Sequence, residues 1–214
     1  MSNRVLVVGL STTSFDTDIN VDANGGTYKA DGETYGVYAG MNTGVIMLMA
    51  GFGTGDYMLY NGMTGPGTAD FCVMFWCKSP PSDVGNYVHA WSHGTSSTGG
   101  QASSTGFTIK AGSGSDGLLW YIYSGNGSGA QGITSSNCVQ PYGSWCLITV
   151  GRHNGVMEVW INDEIRSQGS SINTNFSDNY VQIGKCKTNT NEQVANTSLA
   201  LMRYSQDWFP DASM

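Results

Sequence analysis

Between residues 143 and 164 the chain reads GSWCLITVGRHNGVMEVWINDE, two apolar runs each closed by a short polar break. Trp145 to Val150 is rich in strand formers and has Thr149 as its one polar member. Asn154-Gly155 follows, and then Val156 to Ile161 carries Glu158 among Val156, Met157, Val159 and Trp160. Asn-Gly between two such runs predicts a two-residue hairpin, because both central residues of a type I′ turn need positive φ. Asn162-Asp163 repeats the device with residues that tolerate the left-handed region at some cost. The stretch is a three-stranded β-meander.

The same pattern extends along the chain. It predicts strands at Val5–Leu10, Tyr35–Ala39, Val45–Met49, Tyr57–Tyr60, Asp70–Lys78, Tyr87–Ser92, Gly106–Lys110 and Leu118–Tyr123. Further strands are expected at Trp145–Gly151, Met157–Ile161, Glu164–Ser167, Tyr180–Ile183 and Ser198–Tyr204. Gly- and Ser-rich loops separate them, and no window sustains a helical period over ten residues. Short apolar runs bounded by turn residues are the signature of a sandwich or barrel. One strand stands apart. FCVMFWCK sets Phe71, Val73, Phe75 and Cys77 on one face and Cys72, Met74 and Trp76 on the other, so it is expected inside a sheet with cover on both sides.

Composition narrows the class without changing it. The 214 residues include 30 Gly, 11 Tyr and 6 Trp, and only 12% are charged, against about 25% in an average domain. One all-β domain accommodates this length. Net charge is −7 and the nine basic residues are scattered from Arg4 to Arg203, so no basic stripe is present to neutralise phosphates and nucleic acid is not an expected partner. The apolar run Val5–Leu10 is shorter than a secretory core and reads as a first strand. No run approaches a membrane helix, so no membrane insertion is expected.

The five cysteines, Cys72, Cys77, Cys138, Cys146 and Cys186, are odd in number and irregularly spaced, which argues against a complete disulfide framework. Cys72 and Cys77 sit about 17 Å apart on opposite faces of one strand and cannot pair with each other. The expected role is that of small buried hydrophobes in a reduced setting, with a Cys138–Cys186 bridge as the alternative.

At this point the residues carry a resemblance. GTGDYMLYNGMTGPGTADFCVMFWCKS resembles the opening of the concanavalin A-like lectin/glucanase superfamily, in particular its laminin G-like and pentraxin-like branch. GFTIKAGSGSDGLLWYIYSG, GSWCLITVGRHNGVMEVWINDE, NYVQIGK and SLALMRYSQDWF are similar to its later strands, in order, over roughly residues 45–208. The resemblance implies a jelly-roll of two curved antiparallel sheets over residues 41–214. Residues 1–40 lie outside it and read as an amino-terminal strand or an arm reaching a neighbour.

That superfamily includes glycan hydrolases whose acid and nucleophile stand on one strand in a Glu-x-Asp-x-x-Glu pattern. The nearest approach is Glu158, Asp163 and Glu164, where Glu158 and Asp163 fall on opposite faces with a turn between them. Glycosidases need carboxylates about 5–9.5 Å apart, so no catalytic residue is assigned. His89 and His93 have a spacing that chelates zinc on a helix but puts them about 13 Å apart on a strand. Members of the superfamily often hold calcium at a loop edge, a part open to Asp56 and Asp163, but no acidic cluster forms a calcium loop and the two are expected to be solvated turn aspartates. Cofactors are otherwise not expected.

Ligand-binding candidates are aromatic. In LLWYIY one alternating set, Leu118, Trp120 and Ile122 or Leu119, Tyr121 and Tyr123, must enter the core, leaving the other to line an outer sheet. Tyr121 and Tyr123 suit a sugar ring because tyrosine has an apolar face and a polar tip. Trp91 and His93 lead into the glycine-rich loop at 94–105 and form a candidate rim. The chain is therefore expected to be a non-enzymatic structural and interaction protein displayed on an assembly, a virion component such as a capsid decoration, fibre or tail part. Its expected partners are copies of itself, other structural proteins of the particle and surface glycans. The alternatives are a carbohydrate-binding module of a secreted system and a glycan hydrolase.

Overall fold

The computed structural model describes residues 19–21, 26–29, 48–52, 57–61, 65–83, 85, 88–94, 105–124, 131–133, 136–171, 173–178, 180–184 and 197–206. Among the described residues every regular element is a strand. In chain order these are β1 (Ile19–Val21), β2 (Gly26–Lys29), β3 (Leu48–Phe52), β4 (Tyr57–Asn61) and β5 (Phe71–Lys78). Next come β6 (Val88–His93), β7 (Phe107–Ser113), β8 (Gly117–Ser124), β9 (Gln131–Ile133) and β10 (Val139–Pro141). The last are β11 (Trp145–His153), β12 (Val156–Ile161), β13 (Glu164–Ser171), β14 (Tyr180–Ile183) and β15 (Thr197–Ser205).

They form two antiparallel sheets. The larger runs β1-β2-β4-β14-β6-β7-β8-β10 with β9 also on β8, and the smaller runs β13-β12-β11-β5-β15-β3. The protein is all-β, a jelly-roll sandwich. The expected strands at Val5–Leu10 and Tyr35–Ala39 lie outside the described residues, whereas β1 and β2, within the first forty residues, extend the larger sheet through β4.

The meander forms as its turn residues dictate. Asn154 and Gly155 have φ of 51° and 76°, and Asn162 and Asp163 have 51° and 64°, the paired positive values that match the right-handed strand twist. Each turn is also tied down. The Asp70 carboxylate accepts from the Asn154 and Gly155 amides at 2.8 and 3.2 Å. The Leu147 amide donates to Asn162 Oδ1 at 2.9 Å, and the Asn162 amide donates to the Leu147 carbonyl at 2.9 Å.

Strand β5 lies between β11 and β15, as its two-faced apolarity predicts. Phe71, Val73, Phe75 and Cys77 join the core between the sheets. Cys72 and Met74 are buried on the outer face and Trp76 is half-buried. Opposite them the larger sheet contributes Trp91, Phe107, Ile109, Trp120, Ile122 and Val181. Cys72, Cys77, Cys138 and Cys146 are buried thiols, and Cys186 lies outside the described residues.

Two buried polar side chains join the ends of the sandwich. Gln140 accepts from Trp120 Nε1 at 2.8 Å and donates to the carbonyls of Cys77 and Ser144 at 2.8 and 3.0 Å. Arg152, fully buried, donates to the carbonyls of Gly67, Ala69 and Thr174 and stands 5.0 Å over the Phe176 ring. Burial presses its guanidinium below its ordinary pKa, and the Asp70 charge opposes that.

Candidate functional site

Strand alternation sorts the side chains of the larger sheet into two faces. β7 sends Phe107, Ile109 and Ala111 into the core, so Thr108 and Lys110 stand outward. β8 sends in Leu118, Trp120 and Ile122, which leaves Leu119, Tyr121 and Tyr123 outward. β14 sends in Val181 and Ile183, leaving Gln182 outward. In β6 a register shift between His89 and Trp91 breaks the alternation, so that His89 faces Lys110 and Trp91 faces Ile109. His89 therefore stands outward and His93, opposite Phe107, stands inward. The two histidines lie on different faces and cannot share a metal ion.

The outward face thus carries two cross-strand rows. One is Gln182, Ser92, Thr108 and Tyr123, and the next is His89, Lys110 and Tyr121. Thr108 Oγ1 lies 3.5 Å from Ser92 Oγ. The Tyr121 and Tyr123 rings meet edge to face at 5.1 Å. Lys110 Nζ stands 5.7 Å from the first ring centroid and 5.3 Å from the second, within the range of a cation–π contact. Of the two rows only Tyr123 is not buried; it is half-buried, and Tyr121 is 8% exposed. Gln182 Oε1 is buried without a hydrogen-bond partner, a state that costs about 1–3 kcal/mol. Ser92, Thr108, Lys110, Gln182 and His89 are buried, so amide, hydroxyl and ammonium groups lie behind a single reachable aromatic edge, Tyr123.

The four residues expected to bind are divided by the sheet. Tyr121 and Tyr123 stand together on the outward face. Trp91 and His93 point into the sandwich, each fully buried. Trp91 stacks on Tyr204 of the opposite sheet at 5.5 Å, and His93 stacks on Phe107 at 5.3 Å. His93 Nε2 also lies 2.8 Å from the Asp178 carbonyl. These two contribute packing between the sheets. Lys110 and Gln182 were not apparent as site residues from the sequence: the only signal is parity with Tyr121 across β7 and with Ser92 across β14, and that needs the register.

The carboxylates are engaged elsewhere. Glu158, buried on the outer face of the smaller sheet, accepts from Trp160 Nε1 at 2.8 Å and from Gln168 Nε2 at 2.7 Å. His153 Nδ1 lies 3.6 Å from Glu158 Oε1. Glu164 pairs with Arg166 at 2.6 Å, and Asp163 occupies the turn. Among the described residues no group of three His, Cys, Asp or Glu could hold a metal ion. Of the calcium candidates, Asp163 is an exposed turn residue and Asp56 lies outside the described residues.

No protein-family model and no curated protein matches the sequence. Solved structures do match the fold. A native heptameric SAP-like pentraxin from Limulus polyphemus superposes with a TM-score of 0.54 at 16% identity, covering 76% of each chain. The botulinum neurotoxin serotype D ligand binding domain in complex with N-acetylneuraminic acid gives 0.56 at 11% identity, over 85% of this chain and 47% of that one. The HCR/D W1238A mutant gives 0.54 at 12% identity, over 96% and 48%. The chain spans about half the length of these last two. At such identities the likeness shows the jelly-roll fold.

Proposed function

We propose that the chain is a non-enzymatic interaction protein that recognises carbohydrate through the outward face of its larger sheet. The carrying observation is the grouping of Lys110, Tyr121 and Tyr123 on that face. A sugar ring stacks on the half-buried Tyr123, at the edge of the buried Lys110 and Tyr121. Affinity per site is weak, and many copies on a particle supply strength by effective concentration. A virion surface, as decoration, fibre or tail part, supplies that multiplicity. A glycan array probed with a multimerised chain tests this. Binding that Tyr123→Ala abolishes is expected, and binding that survives both Tyr121→Ala and Tyr123→Ala removes the face from the site. Release of reducing sugar from a polysaccharide, lost in Glu158→Gln, would instead restore the hydrolase reading.

A specific observation also supports self-assembly. Trp145 and Ile165, each 43% exposed, are the exposed large hydrophobics of the described residues, and both belong to the smaller sheet. Strand parity places Trp145 on the same outer face as Leu147 and Trp76, and Ile165 opposite Trp160. This is a face fitted to contact a second copy in a homo-oligomer.

A further inference from the structure

Cys77 on β5 lies directly opposite Cys146 on β11, and both face the core. Two residues further along the same ladder, the Ser79 amide donates to the Ser144 carbonyl at 3.0 Å. Hydrogen-bonded and non-hydrogen-bonded pairs alternate along an antiparallel ladder, so Cys77 and Cys146 form a hydrogen-bonded pair with Cα atoms about 5.5 Å apart. Disulfides span Cα separations of about 4.4–6.8 Å. We propose that Cys77 and Cys146 form an intrachain cross-strand disulfide when the protein meets a peroxide.

The surroundings assign the two thiols different parts. Cys146 Sγ is held by Asn162 Nδ2 at 3.5 Å and Ser144 Oγ at 3.6 Å, at the end of the sandwich beside the Asn162-Asp163 turn. It retains slight exposure, whereas Cys77 has none. Burial pushes the Cys77 thiol far above its ordinary pKa. Cys146 is therefore the sulfur that attacks. Its thiolate displaces hydroxide from the peroxide O–O bond, giving a sulfenic acid and, after protonation of the hydroxide, water. The Cys77 sulfur then attacks the Cys146 sulfur, the S–O bond breaks, and a second water leaves with the Cys77 proton. Two thiols and one peroxide become one disulfide and two waters.

The bond is reversible by construction. Directly opposed Cβ atoms stand about 4.5–5.5 Å apart, with hydrogen-bonded pairs at the wider end, and a disulfide requires about 3.5–4.5 Å. Closure draws β5 and β11 together, and strained bridges are the more easily reduced ones. Cys138 has no such opposite number, because its chain neighbour Val139 pairs with Leu119.

The test uses the full chain treated with hydrogen peroxide, denatured in N-ethylmaleimide and measured by mass spectrometry. The expected result is loss of two alkylatable thiols, an intact mass lower by two hydrogens before alkylation, and a linked Cys77–Cys146 peptide that dithiothreitol separates. Cys77→Ala should leave Cys146 at the sulfenic or a higher acid, and Cys138→Ala should leave the linked peptide unchanged. Oxidation of the native chain that stops at sulfinic or sulfonic acid, links another pair or leaves all thiols alkylatable overturns the proposal. These readouts on the unmutated chain do not depend on any variant folding.

Discussion

Trp120 donates its indole N–H to Gln140 at 2.8 Å, and Gln140 in turn donates to the Cys77 carbonyl in the opposite sheet at 2.8 Å. One amide thus fixes which face of β8 is interior and closes one end of the sandwich. Gln140→Leu keeps the volume and removes both roles. It leaves the Trp120 N–H buried and unpaired, and a loss of roughly 2–4 kcal/mol is expected. Urea unfolding should show a lower midpoint with an unchanged slope.

Arg152 is the equivalent tie at the other end. Arg152→Met should cost about 2–3 kcal/mol, because the part-buried carbonyls of Gly67, Ala69 and Thr174 lose charge-assisted donors. Arg152→Lys should recover only part of this, since an ammonium cannot reach the Gly67, Ala69 and Thr174 carbonyls in the guanidinium's fork geometry. Thermal midpoints of the two variants should both fall, with the lysine variant between the methionine variant and the parent.

The second meander turn can be improved. Asp163 holds φ at 64° with a side chain that faces solvent. Asp163→Gly relieves a conformation that L-residues adopt at a cost and should raise stability by about 0.5 kcal/mol, net of the extra freedom glycine gives the unfolded chain. Asp163→Val should lower it. Chemical denaturation of the three chains in parallel reads the sign.

Gly151 is required by proximity. A Cβ there would meet the Phe71 carbonyl oxygen at 2.0 Å and Cys72 Cα at 2.7 Å, so Gly151→Ala must part β5 from β11. A loss of about 2 kcal/mol or more is expected. Gly85, with φ of 67° and nothing within 4 Å of its added Cβ, isolates the backbone contribution. Gly85→Ala should cost only about 1 kcal/mol.

Assembly is read by light scattering across a concentration range. The parent chain is expected to exceed monomer mass, and the double change Trp145→Ser with Ile165→Ser should return it to monomer while circular dichroism stays unchanged. A chain lacking residues 1–40 separates the contribution of that region. A parent that stays monomeric at high concentration excludes self-assembly and leaves attachment to a larger particle.

What was legible in the sequence follows from the length and periodicity of each element. Asn154-Gly155 and Asn162-Asp163 announced their turns because backbone conformation there is chosen by residue type. The two apolar faces of FCVMFWCK announced a central strand because burial on both sides needs both faces apolar. β9 and β10 had no such signal. Each has three residues, too few for alternation, and β10 ends in Pro141, which argues against a strand. The division of Trp91 and His93 from Tyr121 and Tyr123 was hidden because the facing of each strand depends on register, and β6 carries a shift at Ala90 that nothing in VHAWSH marks. Gln140 and Arg152 read as ordinary polar residues, since their partners, the Trp120 indole and several backbone carbonyls, are brought near only by the fold.

Strand β15 is inserted between β5 and β3, with Ser198 beside Lys78 and Tyr204 beside Val73. A ribosome emits β3 and β5 long before residues 197–205, so during synthesis the smaller sheet waits with a gap between β5 and its edge strand β3. The ladder of β5 that faces β15 is an open template over that interval, and β5 is the most apolar strand of the sheet. A nascent chain stalled before residue 197 would therefore present that ladder to chaperones or to a neighbouring nascent chain on the same message.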